Sequence, residues 1–274
     1  MLVDNHMHLC PDGERLDDAA LSLANIGDYV GVALARGIDE IAFTEHVYRF
    51  TAAADLLDQP FWRASAVDDL AAYHDALVAA RESGLPVLAG LELDWIAGAV
   101  PRVAALAVAH HWDVVLGSVH WLETLAVDHP DFPVWDVFPV DQVWRTYTDE
   151  LCAAAVSGIF DVMAHPDLPK VFGLRPSVRV LDGLYAQITE AFVAGGVCFE
   201  ISTAGLRRDA LELYPAQRFL ERLRRARVPV TLGSDAHVAD DVGQGFPRAL
   251  AALGAAGYRS IVRFRGRERS VVDL

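Results

Sequence analysis

The segment Asp4-Asn5-His6-Met7-His8, directly after the apolar pair Leu2-Val3, decides how this chain is read. Side chains alternate between the faces of a strand, so His6 and His8 point the same way and can reach one metal ion. A lone His-x-His is weak evidence. The rest of the chain repeats the arrangement: Glu45-His46, Glu92, His120, His165 and the pair Asp235/His237 each follow a short apolar stretch. A histidine or carboxylate at one strand end after another points to a multinuclear metal site.

Working outward, the pattern is strand, then helix, repeated. The apolar stretches 2–5, 40–44, 87–91, 114–118, 161–164, 197–201 and 230–234 read as strands. They are apolar on both faces, as strands of a covered parallel sheet are. Amphipathic stretches at 17–36, 68–82, 141–156, 178–194 and 210–225 read as helices, with Gly37, Gly84, Gly158 and Gly195 at their C-caps. Repeated β/α units with no break in composition predict an α/β fold in which residues 1–274 form a single domain, a closed or nearly closed barrel. The metal-type residues fall at the C-terminal strand ends, where such barrels carry their active sites. Two connections are long, 47–66 and 121–140. Trp121, Phe132, Trp135 and Phe138 are expected to pack the second of these, and residues 260–274 to form a hairpin about Gly266.

The composition narrows the function. The 274 residues are 53% hydrophobic and 22% charged, enough for a sizeable core. No apolar run approaches the length of a membrane span, and no signal-peptide pattern opens the chain, so the cytoplasm is the expected compartment. A net charge of −15 argues against a nucleic-acid surface. It does not exclude an anionic substrate, because bound cations invert the local field. Cys10, Cys152 and Cys198 form no Cys-x-x-Cys pattern; Cys198 reads as core.

Imidazole and carboxylate donors suit Zn, Fe or Mn. His6, His8, His46, Glu92, His120, His165, Asp235 and His237 outnumber the ligands of one ion, so two to three divalent ions are expected. A carboxylate such as Glu92 can bridge two ions about 3.5–4 Å apart, the spacing of two-metal hydrolases. Such a centre supplies hydroxide at neutral pH and stabilises charge on a phosphoryl oxygen, so hydrolysis is expected rather than redox chemistry. His74, His110 and His111 lie in or near helices and read as structural, and His129 as a loop residue.

The ordered motifs are DNHMH at 4–8, FTEH at 43–46, GLELD at 90–94, GSVH at 117–120, MAHPDLPKVFG at 163–173, EISTAGLRR at 200–208 and SDAH at 234–237. Together they resemble the PHP (polymerase and histidinol phosphatase) superfamily along nearly the whole chain, and in particular its stand-alone histidinol-phosphate phosphatases. The resemblance implies a distorted (β/α)7 barrel with a trinuclear centre. It implies that His6, His8, Glu92 and Asp235 hold one ion, and that Glu92, His120 and His165 hold the second. His46 and His237 would hold the third with a residue of the Cys10-Pro11-Asp12-Gly13 loop. Relatives often carry histidine where Asp12 stands; a carboxylate there is a harder ligand that favours Mn, Fe or Mg over Zn. Glu14 is the second candidate in that loop.

The resemblance also makes Arg207 the phosphate-facing cation, with Arg208 a solvated surface charge. Lys170 and Arg175 are candidates for a second phosphate contact, and Glu45, Asp94, Phe172 and Tyr214 for the rest of the substrate. Glu92, Asp94 and His237 are the expected catalytic groups, with Asp94 an option as general acid. The implied reaction releases phosphate from L-histidinol phosphate, a step of histidine biosynthesis. The alternatives are nucleotide, sugar or cyclic phosphates on the same scaffold. An amidohydrolase-like or deoxyribonuclease site gives no reason for both His46 and His237, and a non-catalytic module would have lost ligands. The expected partner is a small phosphate ester, with no nucleic acid and no membrane, bound by a monomer or homodimer.

Overall fold

The structure is a computed structural model that describes residues 1–274. Seven parallel strands form one sheet in the order β1 (Val3–Asp4), β2 (Glu40–His46), β3 (Val87–Asp94), β4 (Val114–Ser118), β7 (Val162–Met163), β8 (Cys198–Ser202) and β9 (Val230–Gly233). Every residue of β2, β3, β4, β8 and β9 is buried, which is why these strands read as unbroken apolar runs. The sheet curls until β9 meets β1. Asn5 N donates to Leu232 O at 2.9 Å, Asp235 N to His6 O at 2.7 Å and His8 N to Ala236 O at 2.7 Å. The result is a nearly closed barrel of seven strands with helices around it.

Helices α1 (Leu23–Ala35), α3 (Leu70–Glu82), α4 (Val100–Leu106), α5 (Val140–Val156), α6 (Val178–Gly195), α7 (Gln217–Arg225) and α8 (Phe246–Ala256) cover the outside. The short α2 (Pro60–Ser65) lies in the first long connection, capped by the Gln59 side chain on Trp62 N. The second long connection holds a small ribbon, β5 (Trp121–Leu122) with β6 (Leu125–Ala126). Trp121 is buried there and the Trp135 indole donates to Val127 O at 2.8 Å, whereas Phe138 is exposed. The C-terminal residues form the expected hairpin, β10 (Ser260–Arg265) and β11 (Glu268–Asp273).

Several boundaries differ from the sequence reading. The first helix starts at Leu23, because Ser22 caps it and Asp17 instead holds the Ala19 and Ala20 amides in a turn. The helix expected at 210 starts at Gln217, because residue 214 is drawn into an antiparallel bridge with Ser202. The left-handed cap after α6 is Gly196, not Gly195. Gly195 is needed for another reason: a Cβ there would lie 2.0 Å from Ala155 O, in the contact with α5.

The alternation of side chains sorts the barrel into layers. Ala42, Leu88, Val114, Leu116, Val162, Ala164 and Cys198 form one buried apolar cluster with Val262 and Phe264 of the hairpin. The hairpin therefore plugs the N-terminal end of the barrel. Two to six residues further along the same strands, the parity that carries these apolar groups carries Thr44 and His46, Glu92 and Asp94, and Glu200.

Candidate metal centre

Register and strand ends bring the candidate ligands together. His46 on β2 lies opposite Glu92 on β3, and Glu92 lies opposite Leu116 on β4. Glu92 is fully buried. Its oxygens lie 3.4 Å from His6 Nε2, 3.8 Å from His8 Nε2, 2.6 Å from His46 Nδ1, 3.5 Å from His120 Nε2 and 3.0 Å from His165 Nε2. Asp235 Oδ1 lies 3.3 Å from His8 Nε2 and 3.7 Å from both His6 Nε2 and His237 Nδ1. Asp12 approaches His46 Nε2 at 3.7 Å and His237 Nε2 at 3.6 Å. Four triads keep their donor atoms within 4.8 Å of one another: His6/His8/Asp235, His6/Glu92/His165, His46/Glu92/His120 and His8/His46/His237.

The backbone is bent to deliver two of these groups. His165 holds φ +27° and Asp235 φ +53°, in the half of conformational space that β-carbons disfavour. Each costs of order 1–3 kcal/mol and persists only where surrounding contacts fix it. Glu200 supplies such contacts: it accepts from His6 Nδ1 at 2.9 Å and from His165 N at 2.8 Å. Gly233 makes room for it, since a Cβ there would lie 1.7 Å from Glu200 Oε1. Asp94 accepts from His120 Nδ1 at 2.8 Å, and the buried Ser118 hydroxyl donates to Glu92 at 2.5 Å. Carboxylates behind the rings fix their tautomer and orientation, as around ligating histidines.

The donor set fits metal ions. His6 Nε2, His8 Nε2, His46 Nδ1, Glu92 Oε2 and His237 Nε2 are buried without hydrogen-bond partners, a rare and costly state for protein atoms alone. Burial opposes charge on His6, His8 and His120. The carboxylates around them overcome it, raising His8 to about 9 and holding His6 and His120 well above the ordinary range. Burial likewise opposes ionisation of Glu92 and Asp235, yet the imidazoles hold both well below the usual carboxylate range. The pocket thus demands positive charge, which divalent ions can supply in place of protons. Burial and the His8 charge lower His237 to about 4, so it is neutral at pH 7 and able to ligate. Burial pushes the Cys10 thiol up to about 12, and none of the four triads includes a cysteine.

Three expectations need correction. Lys170 is fully buried, donates to Asp167 Oδ2 and Leu213 O, both at 2.7 Å, lies 3.5 Å from Glu212 and does not line the cleft, so it is committed to partners inside the protein rather than to a phosphate. Glu45 is also fully buried; it accepts from Leu9 N at 2.6 Å and pairs with Arg49 at 3.0 Å and His8 Nδ1 at 3.4 Å. It positions His8 and cannot touch substrate. Asp94, buried against His120, does not line the cleft and acts through that ring rather than as an acid.

The cleft over the ligands is lined by His46, His120, His165, Asp235 and His237 with Asp12, Asp128, Arg208 and Tyr214. Arg207 lines its outer mouth, where one guanidinium nitrogen donates to Ser234 O at 2.8 Å and Asp235 O at 3.1 Å while Nη1 has no partner. Arg208, read from sequence as a surface charge, faces the cleft beside it. Phe172 stands outside it, and Arg175 is held by Glu212 at 3.0 Å. His74 and His110 stack on each other at 4.8 Å, away from the centre. Sequence reasoning gave no role to Glu200, Arg49 or Asp128. Glu200 was discoverable, because a carboxylate at the inward parity of the apolar run 197–201 has no other reason to be there.

Residues 19–204 match the PHP domain family. The chain is 32% identical over 273 residues to a probable histidinol-phosphatase of Deinococcus radiodurans, covering 97% of this chain and 98% of that protein. It is 26% identical to a histidinol-phosphatase of Bacillus subtilis over 90% of this chain and 97% of that one. Among solved structures, the histidinol phosphate phosphatase of Lactococcus lactis, crystallised with zinc, L-histidinol and phosphate, superposes with a TM-score of 0.79 at 17% identity over 98% of each chain. A Listeria monocytogenes relative gives 0.73 at 19% identity, covering 90% of this chain and 99% of that one.

Proposed function

Because the chain belongs to the PHP domain family, we propose that it is a metal-dependent phosphomonoesterase that hydrolyses L-histidinol phosphate to L-histidinol and phosphate. The observation that carries this reading is Glu92, buried among five imidazoles, of which His6, His8 and His46 turn unpartnered ring nitrogens toward it, beneath a cleft edged by two arginines. One core cluster of 74 buried residues runs from Met7 to Ile261, which supports reading the chain as one catalytic unit.

His6, His8 and Asp235 would hold one ion, and His120 and His165 a second, with Glu92 between them. His46, His237 and Asp12 would hold a third. When bound, such ions lower the pKa of water and neutralise phosphoryl charge. The remaining work belongs to the chain. Arg207, with Nη1 free, and Arg208 bind the phosphate oxygens and hold the ester in line for attack. Glu200, Asp94 and Glu45 keep the rings of His6, His120 and His8 in place. Asp128 offers an acceptor to the cationic end of the alcohol, and Tyr214 an apolar wall. No helix is long and apolar enough to cross a membrane.

The test is phosphate release from L-histidinol phosphate beside nucleotide, sugar and cyclic phosphates, with metal content measured on the same sample. Strong preference for L-histidinol phosphate with two to three metals per chain is the expected result. Faster turnover of another ester would keep the chemistry and replace the substrate. Metals without turnover on any ester would overturn the reading.

A further inference from the structure

A second polar site lies at the opposite end of the barrel. Below the start of β9, between the C-terminal ends of α7 and α8 and the hairpin, is a groove of about 620 Å³. Arg224, Arg227, Arg259 and Arg269 line it over a floor of valines and Tyr258, and no aspartate or glutamate does. That is unexpected in a chain whose net charge is −15. Arg224 donates to Gly257 O at 2.8 Å, Arg259 to Tyr258 O at 3.2 Å and Arg269 to Gly196 O at 2.9 Å. These are single bonds to backbone carbonyls, and each leaves guanidinium N–H groups unused. Carboxylates are within reach at this end of the barrel, since Arg81, Arg265 and Arg267 take Asp113, Glu40 and Asp161.

The favourable placement of cations at a helix C-terminus accounts for Arg224, in the last turn of α7. It does not account for Arg259 and Arg269, which lie outside the helices. Arg227, at φ +62°, closes the C-terminal cap of α7, where its N–H donates to Arg224 O and Val228 N donates to Leu223 O, both at 3.0 Å. Glycine would fit that position with less strain. The volume lies within the range of small-molecule sites, and apolar walls with a few placed polar groups are their usual lining.

We propose that this groove binds a small organic phosphate, its phosphoryl group held by the arginines and an apolar ring or chain lying on Tyr258 and the valines. The site is separate from the metal cleft and does not depend on the reaction assigned there. The probes are phenylphosphonate and methylphosphonate, which resist hydrolysis, titrated calorimetrically into the metal-loaded enzyme. Phenylphosphonate should show two binding events per chain, one matching its inhibition of turnover and one not. The second should be about tenfold tighter than for methylphosphonate, because the phenyl ring leaves water. R227E/R269E should remove the second event and leave kcat, KM and the inhibition constant unchanged. R227G, which relieves the backbone, should weaken the second event while raising the thermal midpoint. A single event that tracks inhibition, or two events kept in both variants, would overturn the proposal. So would a charge-reversed variant that loses only self-association or oligonucleotide binding.

Discussion

At the N-terminal end of the barrel, Asp113 accepts from Arg81 at 2.7 Å, from Ala89 N at 3.0 Å and from Gly266 N at 3.0 Å, and Asp161 takes a paired contact from Arg267. At the C-terminal end, Glu92 and Asp235 are as deeply set but stand among ring nitrogens that have no partner. Both ends place carboxylates at the mouths of the same barrel. In one, protein atoms answer both oxygens of Asp113 and of Asp161, and the hairpin is clamped shut over the apolar plug. In the other, the bonds are left for something that is not protein. Buried charge that closes on itself is a fastening; buried charge that does not is a site.

Substitutions at the two ends should therefore fail differently. The largest effect is expected for E92Q, which keeps the volume and removes the charge at the centre of the ligand set. Turnover should fall at least about 10³-fold and metal content should drop. Its unfolding free energy in chelator should stay within about 1 kcal/mol of the parent. Full activity and metal content in E92Q would abolish the contrast. E200Q should lower metal affinity and activity about 10–100-fold, read by competition with a chelator, because Glu200 acts through His6 and His165. A purely structural glutamate would lower stability and leave affinity alone.

R267A should do the reverse, with kcat unchanged and about 2 kcal/mol of stability lost in urea denaturation, since it strands Asp161. Burial raises the Asp161 pKa even with Arg267 in place. A carboxyl whose folded pKa exceeds its unfolded value costs stability once ionised, and that cost fades as pH falls through the folded pKa. The gap between R267A and the parent should therefore be smaller near about pH 4 than near about pH 7. A gap that widens on acidification would contradict this account of Asp161. The smallest effect is expected for D12H, which should tighten the last zinc equivalent about tenfold in chelator competition. Equal zinc affinities would take Asp12 out of the metal set.

The sequence carried the barrel because its strands are buried on both faces and so appear as apolar runs. It carried the ligand positions because histidines are conspicuous at the ends of such runs. It carried less of what stands behind them. Helices α4 and α8 were not delimited: VPRVAAL is only about two turns, and FPRALAALGAA is rich in small residues, so neither shows a clear polar face. Lys170 and Glu45 looked like substrate contacts because charge near a motif suggests exposure, and only the packing shows their partners inside the protein. The direction of Arg208 depended on the turn at 204–207, which spacing does not reveal.

The seam between β9 and β1 has a consequence for synthesis. His6 and His8 emerge more than two hundred positions before Asp235 and His237, and the seam's Asn5–Thr231 and Asp4–Ser234 contacts span 226 and 230 residues. Until β9 docks, the first strand has one edge without its neighbour, and half of the first metal pocket has not been assembled. Such long closures are slow steps in folding. Metal capture is then among the last events in the life of a new chain. An ion present at a thousand times its dissociation constant adds about 4 kcal/mol to whatever it binds only in the closed form. The same cations that would drive the chemistry would then also act as the latch that tells a finished barrel from an unfinished one.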